Sequence, residues 1–196
     1  MKYYLEITLI ENQTCDLSRL WSQLYTQLHL ALVSVADREG KVPVGFSFPE
    51  YHFNETADTG FLGTKCRLFA LDESTLIHLN LSKWLSSLMN NLHCSVIQKV
   101  PNIVNGYALY QKSCKKTNLE RQARRYAKRK GVPFEEALVK YADFEPFRSN
   151  LPFVQLKSLS NQHSFRLVIR KKREVELKTG KFNTYGLSSS LTLPEF

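Results

Sequence analysis

YYLEITLI at residues 3–10, followed after a polar turn by DLSRLWSQLYTQLHLALVS at residues 16–34, is the stretch that decides the fold. In the first segment Tyr3, Leu5, Ile7 and Leu9 recur at every second position, which puts them on one face of a β-strand. In the second, Leu17, Leu20, Trp21, Leu24, Leu28 and Ala31 recur at three- and four-residue steps, the period of a helix that turns one face to a core. Asp16 stands where a side-chain oxygen can take one of the helix's unpaired N–H groups. A strand running into a core-facing helix predicts a mixed α and β domain.

Outward from there, residues 44–48 and 65–71 read as two further strands, joined by a polar, glycine-containing loop whose length predicts local mobility. Asp72 offers a second N-cap before Leu76, Ile77, Leu81, Trp84, Leu85 and Leu88, with a break in the helical pattern expected near Asn80. Residues 94–100 read as a closing strand that stops at Pro101. The resulting order, βαββαβ, is that of a ferredoxin-like domain over residues 1–101, a four-stranded sheet backed by two helices. Because that fold hosts many functions, it names none. Past Pro101 a C-terminal α+β region over residues 102–196 is expected: a strand at 107–112, a basic helix at about 118–130 from an Asn118 cap to a Gly131 stop, and a short helix beginning at Pro133. Strands follow at 153–157, 165–171 and 174–177. The overall class is α+β, with no internal repeat.

With 43% hydrophobic residues in 196, the chain can bury a core of its own. No apolar run approaches the roughly 20 residues that span a bilayer, and Met1 leads into alternating residues rather than a signal segment, so a cytoplasmic protein without a membrane partner is expected. Cys15, Cys66, Cys94 and Cys114 are scattered, with no C-x-x-C pair and no histidine at ligand spacing; they read as reduced thiols, not a disulfide framework or zinc site. A Walker loop, a G-x-G-x-x-G turn and an H-E-x-x-H pair are all missing from the sequence, which leaves nucleotide-dependent and zinc-hydrolase chemistry without support.

The net charge of +9 is concentrated rather than spread. Lys112, Lys115, Lys116, Arg121, Arg124, Arg125, Lys128, Arg129 and Lys130 face only Glu120 in their stretch. On a helix, Arg121, Arg125 and Arg129 form one row and Arg124 with Lys128 a second, so like charges crowd one broad face. Binding to a phosphate backbone would relieve that repulsion, since each cation releases condensed counterions. A solvated helix face is the plainer reading, and charge alone does not separate RNA from DNA.

Several pieces together resemble one family: His29 in QLHLALV, the strand VGFSFP, the helix KTNLERQARR, LPFVQLKSLSNQHSFRLVIR and TYGLS. In this order and spacing the chain is similar, nearly end to end, to the CRISPR-associated endoribonucleases of type I-F systems, which cut repeat RNA to make guide RNAs. The resemblance implies binding of the repeat stem-loop, cleavage at its 3′ base without metal or cofactor, leaving a 5′-OH and a 2′,3′-cyclic phosphate, and retention of the product. It further implies the crRNA and other subunits of a type I-F surveillance complex as partners. Residue by residue, His29 would be the general base, Ser158 the hydroxyl that positions the attacking 2′-OH, Tyr185 the orienter of His29 and Phe165 a stacking platform for a terminal base. Arg121, Arg124, Arg125, Lys128 and Arg129 would grip phosphates, with Lys112, Lys115 and Lys116 also on the RNA. The family commonly reads bases through an Arg-x-Gln element before the basic helix, where this chain has Lys112-Ser113-Cys114. Lys112 can donate to a guanine, but Cys114 cannot replace a glutamine on adenine; Gln111 is the substitute at hand.

RNA carries its own nucleophile, so a metal-free enzyme need only orient the 2′-OH, remove its proton and stabilise the developing charge. A histidine, with an unperturbed pKa of about 6.5, is largely neutral at pH 7 and suits the second task. His29 lies about 120° round from Leu17, on the flank of the apolar stripe, where it can anchor on the core and reach a groove. Plainer roles stand beside the chemical ones. His29 could be a satisfied core histidine, Ser158 or Ser160 a turn serine, Phe165 a core partner of Leu167 and Ile169, and Tyr185 a turn filler beside Gly186. His163 is a rival acid or base. Lys171, Lys172 and Arg173 read either as phosphate contacts or as a solvated hairpin tip, while Glu135, Glu136, Asp143 and Glu145 read as helix-start and loop charges. A non-catalytic hairpin-binding subunit of a CRISPR ribonucleoprotein, or a DNA-binding or structural ferredoxin-like protein, would leave His29, Ser158 and Tyr185 idle, and their joint presence favours cleavage.

Overall fold

The opening strand forms as β1 (Tyr3–Leu9) and leads into α1 (Leu17–Ser34). The computed structural model describes residues 1–12, 15–113, 119–139, 150–158 and 161–196. Asp16 caps α1 as its type allows: its backbone is extended and its carboxylate accepts the Arg19 N–H at 2.8 Å. The helix buries Leu20, Trp21, Leu24, Tyr25, Leu28, Ala31 and Leu32. Each large apolar side chain so buried contributes on the order of 1.5–3 kcal/mol. After α1 come β2 (Lys41–Val42), β3 (Gly45–Ser47), β4 (His52–Asn54), β5 (Thr59–Phe61) and β6 (Lys65–Ala70). Then follow α2 (Glu73–His78), α3 (Leu81–Trp84), a 3-10 turn at Ser86–Asn91, β7 (Leu92–Cys94) and β8 (Gln98–Lys99). The rest is β9 (Gly106–Lys112), α4 (Leu119–Lys130), α5 (Phe134–Val139), β10 (Phe153–Lys157), β11 (Ser164–Glu174), β12 (Phe182–Asn183) and β13 (Leu193–Glu195). The chain is therefore α+β, as the periodicities predict.

The first sheet is antiparallel in the order β3-β6-β1-β7, with β8 pairing farther along the same edge of β1. The strand expected at 94–100 is thus two short pieces. Between them Ser95 leaves the ladder and ties back through its own groups, its N–H donating to the Glu6 carbonyl and its hydroxyl accepting the Glu6 N–H. The expected helix break occurs at Asn80, in the left-handed region at φ 47°. Asp72 stands at the N-cap position of α2, but its side chain makes no capping bond. The loop between β3 and β6 holds the hairpin β4–β5, which its polar composition concealed.

A second sheet runs β10-β11-β9-β13. Here the strand expected at 174–177 is not separate: β11 continues through Lys171, Lys172 and Arg173, which pair with Tyr110, Leu109 and Ala108 of β9. Those three cations lie within the paired part of the strand, so the hairpin-tip reading is corrected. The chain divides into two compact units, Met1–Ser113 with Leu151–Phe196, and Cys114–Asn150. Packing therefore does not divide the chain at the expected boundary after residue 101. Ala108, Tyr110, Val154, Leu156, Leu167 and Ile169 of the second sheet share one hydrophobic cluster with Leu24, Phe46 and Leu68, and separating them would expose that core.

In the smaller unit, α4 ends where its sequence says it should. Gly131 adopts φ 68°, and the N–H groups of Gly131 and Val132 both reach the Ala127 carbonyl, a left-handed cap that a side chain would strain. The Asn118 cap, Lys115 and Lys116, Asp143 and Glu145 lie outside the described residues. Cys15, Cys66 and Cys94 are free thiols, and burial pushes Cys66 well above an ordinary thiol. Among the described residues no helix is long and apolar enough to cross a membrane.

Candidate active site

Three segments meet at His29. The first is α1, whose buried face fixes the helix: Trp21 and Tyr25 pack edge-on against Phe48 and Phe46, and the Trp21 indole N–H donates to the Gly63 carbonyl at 2.8 Å. Ser22 donates to the Gln155 carbonyl, which ties the same helix to β10. On the flank of this face His29 is half-buried, as the helical phase predicts.

The second segment is the turn after β12. Asn183 builds it, its side-chain carbonyl accepting the Tyr185 N–H at 2.8 Å and the Leu187 N–H at 3.2 Å. Gly186 sits at φ 69°, and a Cβ there would lie 2.4 Å from the Phe46 ring, so only glycine fits. The turn is held on β3 through the Phe46 N–H to Gly186 carbonyl bond and on α1 through the Tyr25 hydroxyl, which donates to the Tyr185 carbonyl at 2.8 Å. Burial raises the pKa of the Tyr25 phenol, so it remains a donor at neutral pH.

The turn fixes His29 in two directions. The Nδ1 atom lies 2.8 Å from the Thr184 carbonyl oxygen, which can only accept, so Nδ1 carries the hydrogen and in the neutral ring Nε2 keeps its lone pair. The Tyr185 ring stacks on the imidazole at 4.2 Å between centroids and 3° between planes. Tyr185 thus meets His29 by the face of its ring, and the hydrogen bond of the imidazole goes to the Thr184 backbone carbonyl. Backbone carbonyls leave no residue-type signature; the Asn183-to-Gly186 turn was the one local signal available.

The third segment is β9. The Lys112 ammonium lies 5.3 Å from the centre of the Tyr185 ring and 5.8 Å from that of Phe165. His29, Tyr185, Lys112 and Phe165 thus form one connected group, with a cation beside the histidine stack. Phe165 is half-buried above Leu167 and Ile169 of the same strand face, so it packs on the core and still presents part of its ring. Ser158 follows β10, its N–H donating to the His163 carbonyl at 2.8 Å, two residues beyond Leu156, the register partner of Phe165. Ser160 lies outside the described residues, and the rival His163 is exposed. Lys171 is taken up by Glu195 in an ion pair. Among the described residues no group of three or more His, Cys, Asp or Glu side chains is placed to hold a metal ion.

In the smaller unit, Arg124, Arg125, Lys128, Arg129 and Lys130 are exposed along α4, while Ala123 is buried. Arg124 pairs with Glu120 at 3.3 Å and lies over the Phe134 ring. The side chain of Arg121 lies outside the described residues.

The family model described as CRISPR-associated protein (Cas_Csy4) matches residues 4–196. Two relatives, each named CRISPR-associated endonuclease Cas6/Csy4, come from Escherichia coli (strain UTI89 / UPEC) and Pseudomonas aeruginosa (strain UCBPP-PA14). Each is 32% identical over 197 residues and covers 100% of both chains. A solved structure described as an RAMP protein binding different RNA substrates aligns over 99% of each chain, at 10% identity and a TM-score of 0.35, too loose a likeness to bear on the fold. From the match to the family model and the two full-length relatives, the chain belongs to the Cas_Csy4 family of CRISPR-associated proteins.

Proposed function

We propose that this protein is an endoribonuclease that binds the stem-loop of CRISPR repeat RNA and cuts at its 3′ base to release guide RNA. The observation that carries this reading is the fixed tautomer of His29: Nδ1 is committed to the Thr184 carbonyl and the ring is clamped against Tyr185, leaving Nε2 as a positioned proton acceptor. In this mechanism Nε2 takes the proton of the 2′-OH, whose oxygen attacks the adjacent phosphorus as the bond to the 5′-oxygen of the next nucleotide breaks, and the departing 5′-oxygen takes a proton from water. The products are a 2′,3′-cyclic phosphate and a 5′-OH, with no metal in any step. Ser158 positions the 2′-OH, Phe165 stacks on the terminal base, and Lys112 with Gln111 reads bases of the hairpin in place of an Arg-x-Gln element. Burial raises the pKa of the Tyr185 phenol, which keeps the stacked ring uncharged beside the phosphate.

The grip comes from Arg121, Arg124, Arg125, Lys128 and Arg129 of α4, together with Lys115 and Lys116, on the stem phosphates. The strand order of the first sheet supports a ferredoxin-like arrangement, in which β1, β3, β6 and β7 are the four strands of the βαββαβ unit. The cytoplasm, product retention and assembly with other type I-F subunits complete the proposal. To test it, the purified chain is incubated with its repeat RNA in excess chelator. Cleavage leaving a cyclic phosphate is expected, and none when the attacking nucleotide is 2′-deoxy. Cutting of the deoxy substrate, or activity lost in chelator and restored by magnesium, rules the mechanism out.

A further inference from the structure

The hydrogen bond that holds His29 ends on a peptide group that is itself held from its other side. The Thr184 carbonyl, 2.8 Å from Nδ1, and the Tyr185 N–H are the two ends of one peptide unit. In a planar trans peptide they point in opposite directions and turn together. At the far end the Tyr185 N–H donates to the side-chain oxygen of Asn183, also at 2.8 Å. His29, the peptide between Thr184 and Tyr185, and the Asn183 amide therefore form one line of hydrogen bonds, in which each bond polarises the next.

The Asn183 amide has a fixed orientation of its own. It meets two donors, the N–H groups of Tyr185 and Leu187, so the atom between them is its oxygen and not its nitrogen. The backbone that carries it is tied as well: the Asn183 N–H donates to the Leu187 carbonyl at 3.0 Å and the Asn183 carbonyl accepts the Gly186 N–H at 2.9 Å. Pairing with Lys41 of β2 anchors the same residue from outside the turn. A short side chain with a carbonyl is the type that reaches an N–H two residues on, and alanine offers no acceptor there.

The chemistry of imidazole gives this line its consequence. Free neutral histidine carries its hydrogen mainly on Nε2, a form in which Nε2 has no lone pair with which to accept a proton. An acceptor held at Nδ1 selects the other form, since the hydrogen bond made by one ring nitrogen sets the state of the second. A carbonyl free to swing away selects neither. We propose that Asn183 is a positioning residue of the cleavage reaction: by pinning the peptide between Thr184 and Tyr185 it aims the Thr184 carbonyl at Nδ1 and keeps Nε2 of His29 ready for the 2′-OH proton. This role rests on His29 being the general base of the function proposed above.

The test compares Asn183→Ala and Asn183→Asp with the wild-type chain. Imidazole nitrogen NMR, at a pH where the ring is neutral, reads the tautomer, and His29 is identified among the five histidines by its loss in His29→Ala. Single-turnover cleavage of the repeat hairpin at saturating protein reads the rate. In the wild type the hydrogen is expected on Nδ1. In Asn183→Ala the form with hydrogen on Nε2 appears and the rate falls by about 10- to 100-fold, the scale of a slightly misplaced catalytic group, while hairpin affinity stays within a few-fold. Asn183→Asp, whose carboxylate can accept the same two N–H groups, recovers most of the rate and the wild-type tautomer. Where the alanine variant does not fold, Asn183→Ser, a weaker acceptor, takes its place, with mixed tautomers and an intermediate rate expected. A tautomer that does not change in the folded variant, or a rate that Asn183→Asp does not recover, overturns the role of Asn183 and leaves His29 the base. Normal cleavage by His29→Ala is a different outcome, which removes the base itself and this role with it.

Discussion

Helices α1 and α4 are built on opposite plans. Seven side chains of α1 are buried, its N-terminus is capped, and its one histidine sits at the edge of the buried stripe, bonded on one side and stacked on the other. Along α4 five cations are exposed, and of these only Arg124 has a carboxylate partner among the described residues, an exposed i,i+4 pair of little energetic weight. The difference separates two demands. A group that moves a proton must be held within tenths of an ångström of its substrate, which takes packing and directional bonds on every side. A group that neutralises a phosphate needs only charge within reach, and pairing it internally would weaken it.

That contrast predicts separable losses. The largest is at His29: in His29→Ala, single-turnover cleavage falls by about 10² to 10⁴-fold, roughly 3 to 5 kcal/mol, while hairpin affinity stays within a few-fold. If binding, cleavage and melting temperature fall together, His29 is a core histidine and His163 becomes the next candidate base. Smaller effects are expected on α4, where Arg125→Ala and Arg129→Ala each lower the salt slope of hairpin binding by about one unit without changing the rate of bound substrate. An unchanged slope in a salt titration means the helix face is merely solvated.

The smallest effect sharpens the account of the site itself. Because Tyr185 touches His29 by its face, Tyr185→Phe keeps cleavage within a few-fold. Tyr185→Leu, which removes a stack worth about 0.5–1.5 kcal/mol, slows it roughly tenfold. A loss of a hundredfold or more in Tyr185→Phe would restore the phenol oxygen as the orienting group. The rates of the two variants, read beside their melting temperatures, distinguish ring from hydroxyl.

Much of this architecture was legible in residue order, and the reasons are local. Alternation gave β1, a three-and-four period gave α1 and the flank position of His29, Asp16 gave a cap, and Gly131 gave a stop, each acting through neighbours a few residues away. The concentration of charge on α4 needed only counting. The resemblance of QLHLALV, KTNLERQARR and TYGLS to one family was equally a property of order and spacing. Less legible were β4 and β5, hidden by polar composition, and the continuity of β11 through Lys171, Lys172 and Arg173, where a charged run looked like a turn.

Tertiary structure alone decided the rest. The bond from His29 to Thr184 spans 155 positions, and its acceptor is a backbone oxygen that every residue possesses. Pairing of Lys41 with Asn183 brings a two-residue strand from each half of the chain together, too short for periodicity to mark. The boundary expected at residue 101 gives way because one hydrophobic core draws on both sheets. Sequence by itself determined the longer helices and strands, where charge collects and which family the motifs resemble, since these depend on neighbours along the chain. Which nitrogen of His29 carries the hydrogen and which face of Tyr185 meets it were set only by long-range packing, whose partners are chosen by shape and burial across the whole fold.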